Sequence, residues 1–253
     1  GSTTVSGTGL GEGSLTFSSL NTEVATVSGS TVQSVKVGTA TIKATKAADS
    51  NYIAGEATTT LTVVAGTFSV EAEDQEFTYT GSAQKATYST TVSVDSVVFT
   101  LNGTRYDAND AYNATSAKGE VLSVSNANSF TNAGVYTLKI VASAANYNDA
   151  EATITIIVKK ATPVLSGVSA TGIKYGQTLA ASTISGTAKL GSITVAGAFT
   201  FNTVSTAPSA TGNHAYTFTP SDLTNYVTNG GQVSVALSKT ALTLVSVNAS
   251  AIS

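Results

Sequence analysis

Three times along the chain a glycine is followed, 12 or 13 residues later, by the dipeptide Asn-Tyr: Gly38 by Asn51-Tyr52, Gly134 by Asn146-Tyr147, and Gly212 by Asn225-Tyr226. Between glycine and dipeptide lies an alternating run, such as Thr39-Ala40-Thr41-Ile42-Lys43-Ala44 or Val135-Tyr136-Thr137-Leu138-Lys139-Ile140. After the dipeptide come a polar turn and a second alternating run, as in Ala152-Thr153-Ile154-Thr155-Ile156-Ile157-Val158. Each unit therefore reads as turn, strand, corner and closing strand. A repeat of this kind settles the architecture before any single residue does.

Alternation with period two places one strand face in a core and the other in water. Two sheets packed by their apolar faces satisfy that pattern, and 80 to 95 residues per repeat, roughly, fit one sandwich each. The expected fold is all-β: three tandem immunoglobulin-like β-sandwich domains at 1–65, 66–159 and 160–239. The second carries an insertion near 101–128. Tyr52, Tyr147 and Tyr226 are read as structural corners, each burying its ring while its hydroxyl reaches nearby backbone.

Composition narrows the function classes. The 253 residues carry 12 basic and 15 acidic side chains and no Cys, Met or Trp. Ser and Thr together number 75, close to a third of the chain. Without cysteine there is neither a disulfide framework nor a thiolate zinc site. Without a basic excess, nucleic acid is not expected as a partner. No run of about 18 apolar residues suggests membrane insertion. The start shows no charged segment leading into an apolar one, so no signal peptide is expected there, and the chain reads as a piece of a longer polypeptide.

The segments "VATVSGSTVQSVKVGTATIKATKAADSNY", "FTYTGSAQKATYS" and "IKYGQTLAASTISGTA" resemble bacterial immunoglobulin-like repeats of the MBG type and its relatives. That resemblance implies sandwich modules strung into long secreted or surface-anchored bacterial proteins, often adhesins. It brings no catalytic residues and no cofactor. An extracellular or cell-surface location is the corresponding expectation.

The repeat is out of phase with the chain. Thr183-Ile184-Ser185-Gly186-Thr187 has a near copy at Thr4-Val5-Ser6-Gly7-Thr8. The third repeat has some twenty residues ahead of that motif, and the first has almost none. The tail at 240–253 aligns without gaps on 161–174, with Leu244 on Leu165, Val247 on Val168 and Ile252 on Ile173. Domain 1 is thus expected to lack its first strand, and 240–253 to be the first strand of a following repeat. A sandwich short of one strand exposes unpaired backbone and an apolar groove, which invites strand addition. Residues 240–253, with Leu242, Leu244, Val247 and Ile252 as apolar contacts, are expected to insert into domain 1 of a neighbouring molecule and link copies head to tail. A frayed tail is the alternative.

Chemistry-bearing side chains are sparse. His214 is the one imidazole, and a triad or metal site would have to use it. Glu71, Glu73, Asp74 and Glu76 cluster within six residues and read as a charged strand edge. Asp107, Asn109 and Asp110, with Asn113 nearby, offer oxygen ligands of the kind calcium uses, but lack the glycine and bidentate glutamate of a helix-loop-helix calcium site. Tyr106, Tyr112 and Phe130 in the second-domain insertion offer a platform for a host glycan or protein, which is the rival to a purely structural role.

Overall fold

The computed structural model describes residues 1–105, 121–125, 127–243 and 245–248. The regular structure there is β throughout, apart from one 3-10 turn at Leu179–Ala181. The chain divides into two compact units, one of Gly1–Ala72, Tyr88–Val98 and Ile140–Ala152, the other of Glu73–Thr87, Phe99–Lys139 and Thr153–Ser253.

In the first unit the leading repeat folds as two small antiparallel sheets. Gly38–Lys46 runs between Leu15–Ser19 and Gly55–Val63, and Thr31–Ser34 runs between Ser2–Thr4 and Ala25–Ser28. Alternation explains the packing. Ala40 and Ile42 turn inward from one sheet to meet Ala25 and Val32 of the other, with Val5, Leu61 and Val63 at the margin. Val5 to Ser14, the equivalent of the strand Ile184–Leu190, forms no ladder.

The second unit holds the third repeat, in which that ladder exists. Ile184–Leu190 lies between Val164–Ala170 and Ile193–Thr194, and Gly212–Pro220 lies between Gly197–Phe201 and Asn229–Val235. A short parallel pair, Ile173–Lys174 with Leu237–Ser238, closes one side. Ile173, Leu179, Phe201, Tyr216, Val233 and Val235 form the core, with Leu165, Val168 and Ala170 packed over it.

The middle repeat supplies a five-stranded sheet in the order Val121–Ser125, Ser96–Arg105, Gly134–Ser143, Ala150–Lys159, Gln75–Thr78. Its last pairing is parallel, Val158 opposite Phe77, just as Leu237 stands opposite Ile173. Phe130 is buried between Phe77 and Tyr136, at ring centroid distances of 5.7 and 5.9 Å.

The repeat glycine serves different ends in different copies. Gly38 has a φ of 147°, in the region that favours glycine. A Cβ on Gly134 would stand 2.5 Å from the Thr104 carbonyl oxygen, so there the neighbouring strand sets the requirement.

Candidate functional site

Of the three Asn-Tyr corners, the polar pairs that recur most regularly, two meet the repeat that precedes them. In the first unit the Val37 N–H donates to Asn146 Oδ1 at 3.0 Å, and Val37 is the residue just before the repeat glycine Gly38. The Gly66 N–H donates to the Asn146 carbonyl at 2.9 Å, and the Asn148 N–H returns to the Gly66 carbonyl at 2.9 Å. Gly66 and Tyr147 thereby form a one-pair parallel bridge. The Tyr147 ring meets Phe68 edge-on at 5.8 Å and stays 40% exposed. Asn146 adopts a φ of 68°, which asparagine tolerates better than most residues.

Inside the second unit the same joint is built again, but buried. The Ala133 N–H, again just before a repeat glycine, donates to Asn225 Oδ1 at 2.8 Å. The Ala161 N–H donates to the Asn225 carbonyl at 2.8 Å, and the Val227 N–H to the Ala161 carbonyl at 3.0 Å. Tyr226 is only 6% exposed, its ring edge-on to Tyr79 at 5.3 Å. Asp222 holds the corner in shape. Its Oδ1 accepts the N–H groups of Thr224 and Asn225, and its Oδ2 accepts the Asn225 side-chain amide at 2.8 Å.

The first corner, Asn51-Tyr52, also has an aspartate, Asp49, but one residue nearer to the asparagine, and it stands open. Asp49 Oδ1 accepts the Asn51 and Tyr52 N–H groups at 2.9 and 3.0 Å, and Oδ2 accepts those of Glu12 and Gly13. The Asn51 N–H, together with those of Glu12, Gly13 and Tyr52, holds the Asp49 carboxyl below its ordinary value against the opposing effect of desolvation. Tyr52 is 48% exposed.

Burial pushes the Tyr226 hydroxyl up to about 12 from an ordinary 10.0, helped by Tyr79 and by the Asp222 charge. The folded state therefore favours the neutral phenol. The stabilisation linked to it is complete below pH 10 and is lost as the pH rises towards 12. Denaturant unfolding between pH 9 and 12 should show this extra decline in the unaltered chain and lack it in Tyr226→Phe. Parallel pH curves for the two proteins would contradict it.

The other candidates are placed as follows. Glu76 pairs with Lys159 at 2.6 Å, and Asp74 Oδ1 accepts the Thr155 N–H at 2.6 Å, while Glu71 and Glu73 are exposed. His214 lies within Gly212–Pro220 opposite Val233, and its Nε2 is buried without a protein partner among the described residues. Phe130 is core. Tyr106, Asp107, Asn109, Asp110, Tyr112 and Asn113 lie outside the described residues, as do Leu244 and Ile252. No group of three or more His, Asp or Glu among the described residues is arranged to hold a metal ion. None of their helices is long and apolar enough to cross a membrane.

The strand position that Val164–Ala170 fills in the third repeat is open in the first. There, Val168 packs over Gly186, whose Cβ would stand 3.0 Å from Val168 Cγ2. Over the equivalent Gly7 lies an apolar groove of about 490 Å³, lined by Val5, Leu15, Phe17, Ile42 and Ala44 among others. A second cleft of about 530 Å³ runs along Leu61–Val64, the edge that corresponds to the one Ile173–Lys174 covers in the third repeat. In the tail, Leu242, Val245 and Val247 are exposed and belong to no strand.

No family model matches the chain, and neither does any curated protein. Among solved structures it is similar to protocadherin gamma B2 extracellular cadherin domains 3-6, at 7% identity and a TM-score of 0.22, over 89% of this chain and 69% of that one. Drosophila N-cadherin EC1-4 gives 10% identity and a TM-score of 0.21, over 90% and 67%. Domains 4-9 of the surface layer protein SbsC give 16% identity and a TM-score of 0.20, over 89% and 39%. Likeness this shallow says nothing of function, so the chain's own geometry has to carry it.

Proposed function

We propose that this chain is a structural stalk or fibre segment of a bacterial surface or secreted protein, adhesin-like and non-catalytic, built of three modules at 1–65, 66–159 and 160–239. Residues 240–253 complete the first module of a neighbouring molecule, so that copies join head to tail. The observation that carries this is the strand position filled in the third repeat and open in the first.

The fit is specific in register. Leu165 and Val168 pack on the third repeat's core, and their counterparts in the tail are Leu244 and Val247. Val247 would sit over Gly7 as Val168 sits over Gly186, with Leu15 and Phe17 beside Gly7 as Phe199 is beside Gly186. Ile252-Ser253 would follow the Leu61–Val64 edge as Ile173–Lys174 follow Leu237–Ser238. Such a contact is heterologous, so it propagates as a chain of copies and does not close on a dimer. Main-chain ladder bonds supply affinity, and the alternate side chains set the register.

Light scattering and sedimentation velocity over a concentration series test the proposal. The unaltered chain should grow in mass with concentration. Deleting 240–253, or changing Val247→Asp, should give a single-copy mass at every concentration. Gly7→Phe should do the same from the acceptor side, with the tail intact. Association that survives all three changes, or an unaltered chain that stays single-copy throughout, would overturn it.

A further inference from the structure

Both internal joints use the same parts. The side-chain oxygen of the corner Asn takes the N–H of the residue before the preceding repeat's glycine, Val37 in one case and Ala133 in the other. The linker residue, Gly66 or Ala161, exchanges two backbone hydrogen bonds with the residues flanking the corner Tyr. The Tyr ring then meets an aromatic edge-on, Phe68 or Tyr79. Two occurrences define a socket, and its elements can be sought elsewhere.

The third repeat carries every one of them. Thr211 precedes its repeat glycine Gly212, and no acceptor reaches the Thr211 N–H among the described residues. Tyr175 occupies the place of Tyr79: its N–H donates to the Ser238 carbonyl at 2.9 Å, as that of Tyr79 donates to the Lys159 carbonyl at 2.8 Å. Thr240 aligns with Ala161. Tyr175, Thr211, Leu237 and Thr240 line a groove of about 470 Å³, and the Tyr175 ring is 64% exposed. The matching plug is the Asn51-Tyr52 corner. Asp49 Oδ1 already accepts its Asn51 and Tyr52 N–H groups, among the described residues no bond to the aspartate occupies the Asn51 side-chain amide as one does that of Asn225, and the next residue, Ile53, is exposed.

We infer that the groove around Tyr175 and Thr211 receives the Asn51–Ile53 corner of a second copy of this chain. Asn51 Oδ1 accepts the Thr211 N–H, the Thr240 N–H donates to the Asn51 carbonyl, the Ile53 N–H donates to the Thr240 carbonyl, and Tyr52 lies edge-on to Tyr175. The choice of a second copy as occupant rests on the head-to-tail assembly proposed above, and the two contacts agree in direction. A molecule whose tail completes the next copy's first module holds that module beside its own third repeat, where the corner and the socket face each other. The interface inferred here continues a contact the chain already makes twice internally.

Cysteine pairing tests this on the full chain, which has no cysteine of its own. Residues opposite each other in a parallel bridge lie about 5 Å apart at Cα, within reach of a disulfide. Thr240→Cys and Tyr52→Cys, made in separate chains and mixed under mild oxidation, should give the mixed dimer well above either like dimer. Asn51→Ala should weaken association about tenfold, with an unchanged circular dichroism spectrum, and Asn51→Asp, which keeps the acceptor, should weaken it less. The two proposals fail differently. If Val247→Asp abolishes association while Asn51→Ala leaves it unchanged and no mixed disulfide forms, strand donation stands and the socket falls. If no variant alters the mass because the unaltered chain never associates, a second copy is not the occupant and both fall.

Discussion

Asn225→Ala is expected to lower the free energy of unfolding by about 2–4 kcal/mol, among the largest losses available from one polar side chain here. Asn225 is 6% exposed, and its Oδ1 is the acceptor for the buried Ala133 N–H. Alanine leaves that donor without a partner where water does not readily reach it, which costs about 1–3 kcal/mol. It also takes the amide hydrogen bond from Asp222 Oδ2. The first joint offers an internal comparison. Asn146 makes the same bond to the Val37 N–H but is exposed, so water replaces the lost acceptor. Asn146→Gly, which suits the positive φ, should change stability by less than about 1 kcal/mol. Chemical denaturation followed by circular dichroism measures both, and equal losses at the two positions would mean that burial does not separate the joints.

That contrast marks where the sequence stops being legible. The hairpins Gly38–Lys46 with Gly55–Val63, and Gly212–Pro220 with Asn229–Val235, follow from period-two alternation, because burial on one face depends only on neighbouring residues. The groove over Gly7 lies where the phase of the repeat leaves the first repeat a strand shorter than the third. The joints were not legible. The donors to the corner asparagines belong to Val37 and Ala133, 109 and 92 residues away, and they act through backbone N–H groups that any residue but proline carries. Nothing in those side chains announces the bond. The one available signal was that Asn recurs with Tyr at all three corners. A buried ring accounts for the tyrosine only at Tyr226, since Tyr52 and Tyr147 do not bury theirs as expected, and the asparagine beside it required a second partner. The rings diverge for a similar reason: Tyr226 has Tyr79 to pack against, whereas the first repeat has no strand corresponding to Gln75–Thr78, and Tyr147 turns to Phe68.

Phe201→Ala and Phe17→Ala should separate a closed core from an open one. Both phenylalanines lie on the strand beside their repeat's hairpin, Phe201 opposite Tyr216 in the third repeat and Phe17 opposite Ala44 in the first. Phe201 is buried against Ile173, Leu179, Tyr216 and Val235, so truncation removes apolar contact on every side and leaves a cavity, at a cost of about 3–5 kcal/mol. Phe17 is half-buried and lines the groove over Gly7, so one side already faces water. Its truncation should cost the single-copy protein only about 1–2 kcal/mol, in proportion to the smaller area removed from water. The missing part reappears on assembly, because a strand laid into the groove buries the exposed side of the ring. Phe17→Ala should therefore weaken association of the intact chain, while Phe201→Ala acts on unfolding alone at concentrations where the protein stays folded. Unfolding measured on dilute protein and mass measured on concentrated protein give the two numbers. If Phe17→Ala costs the dilute protein as much as Phe201→Ala, the first repeat is already closed by its own residues and has no place for a donated strand.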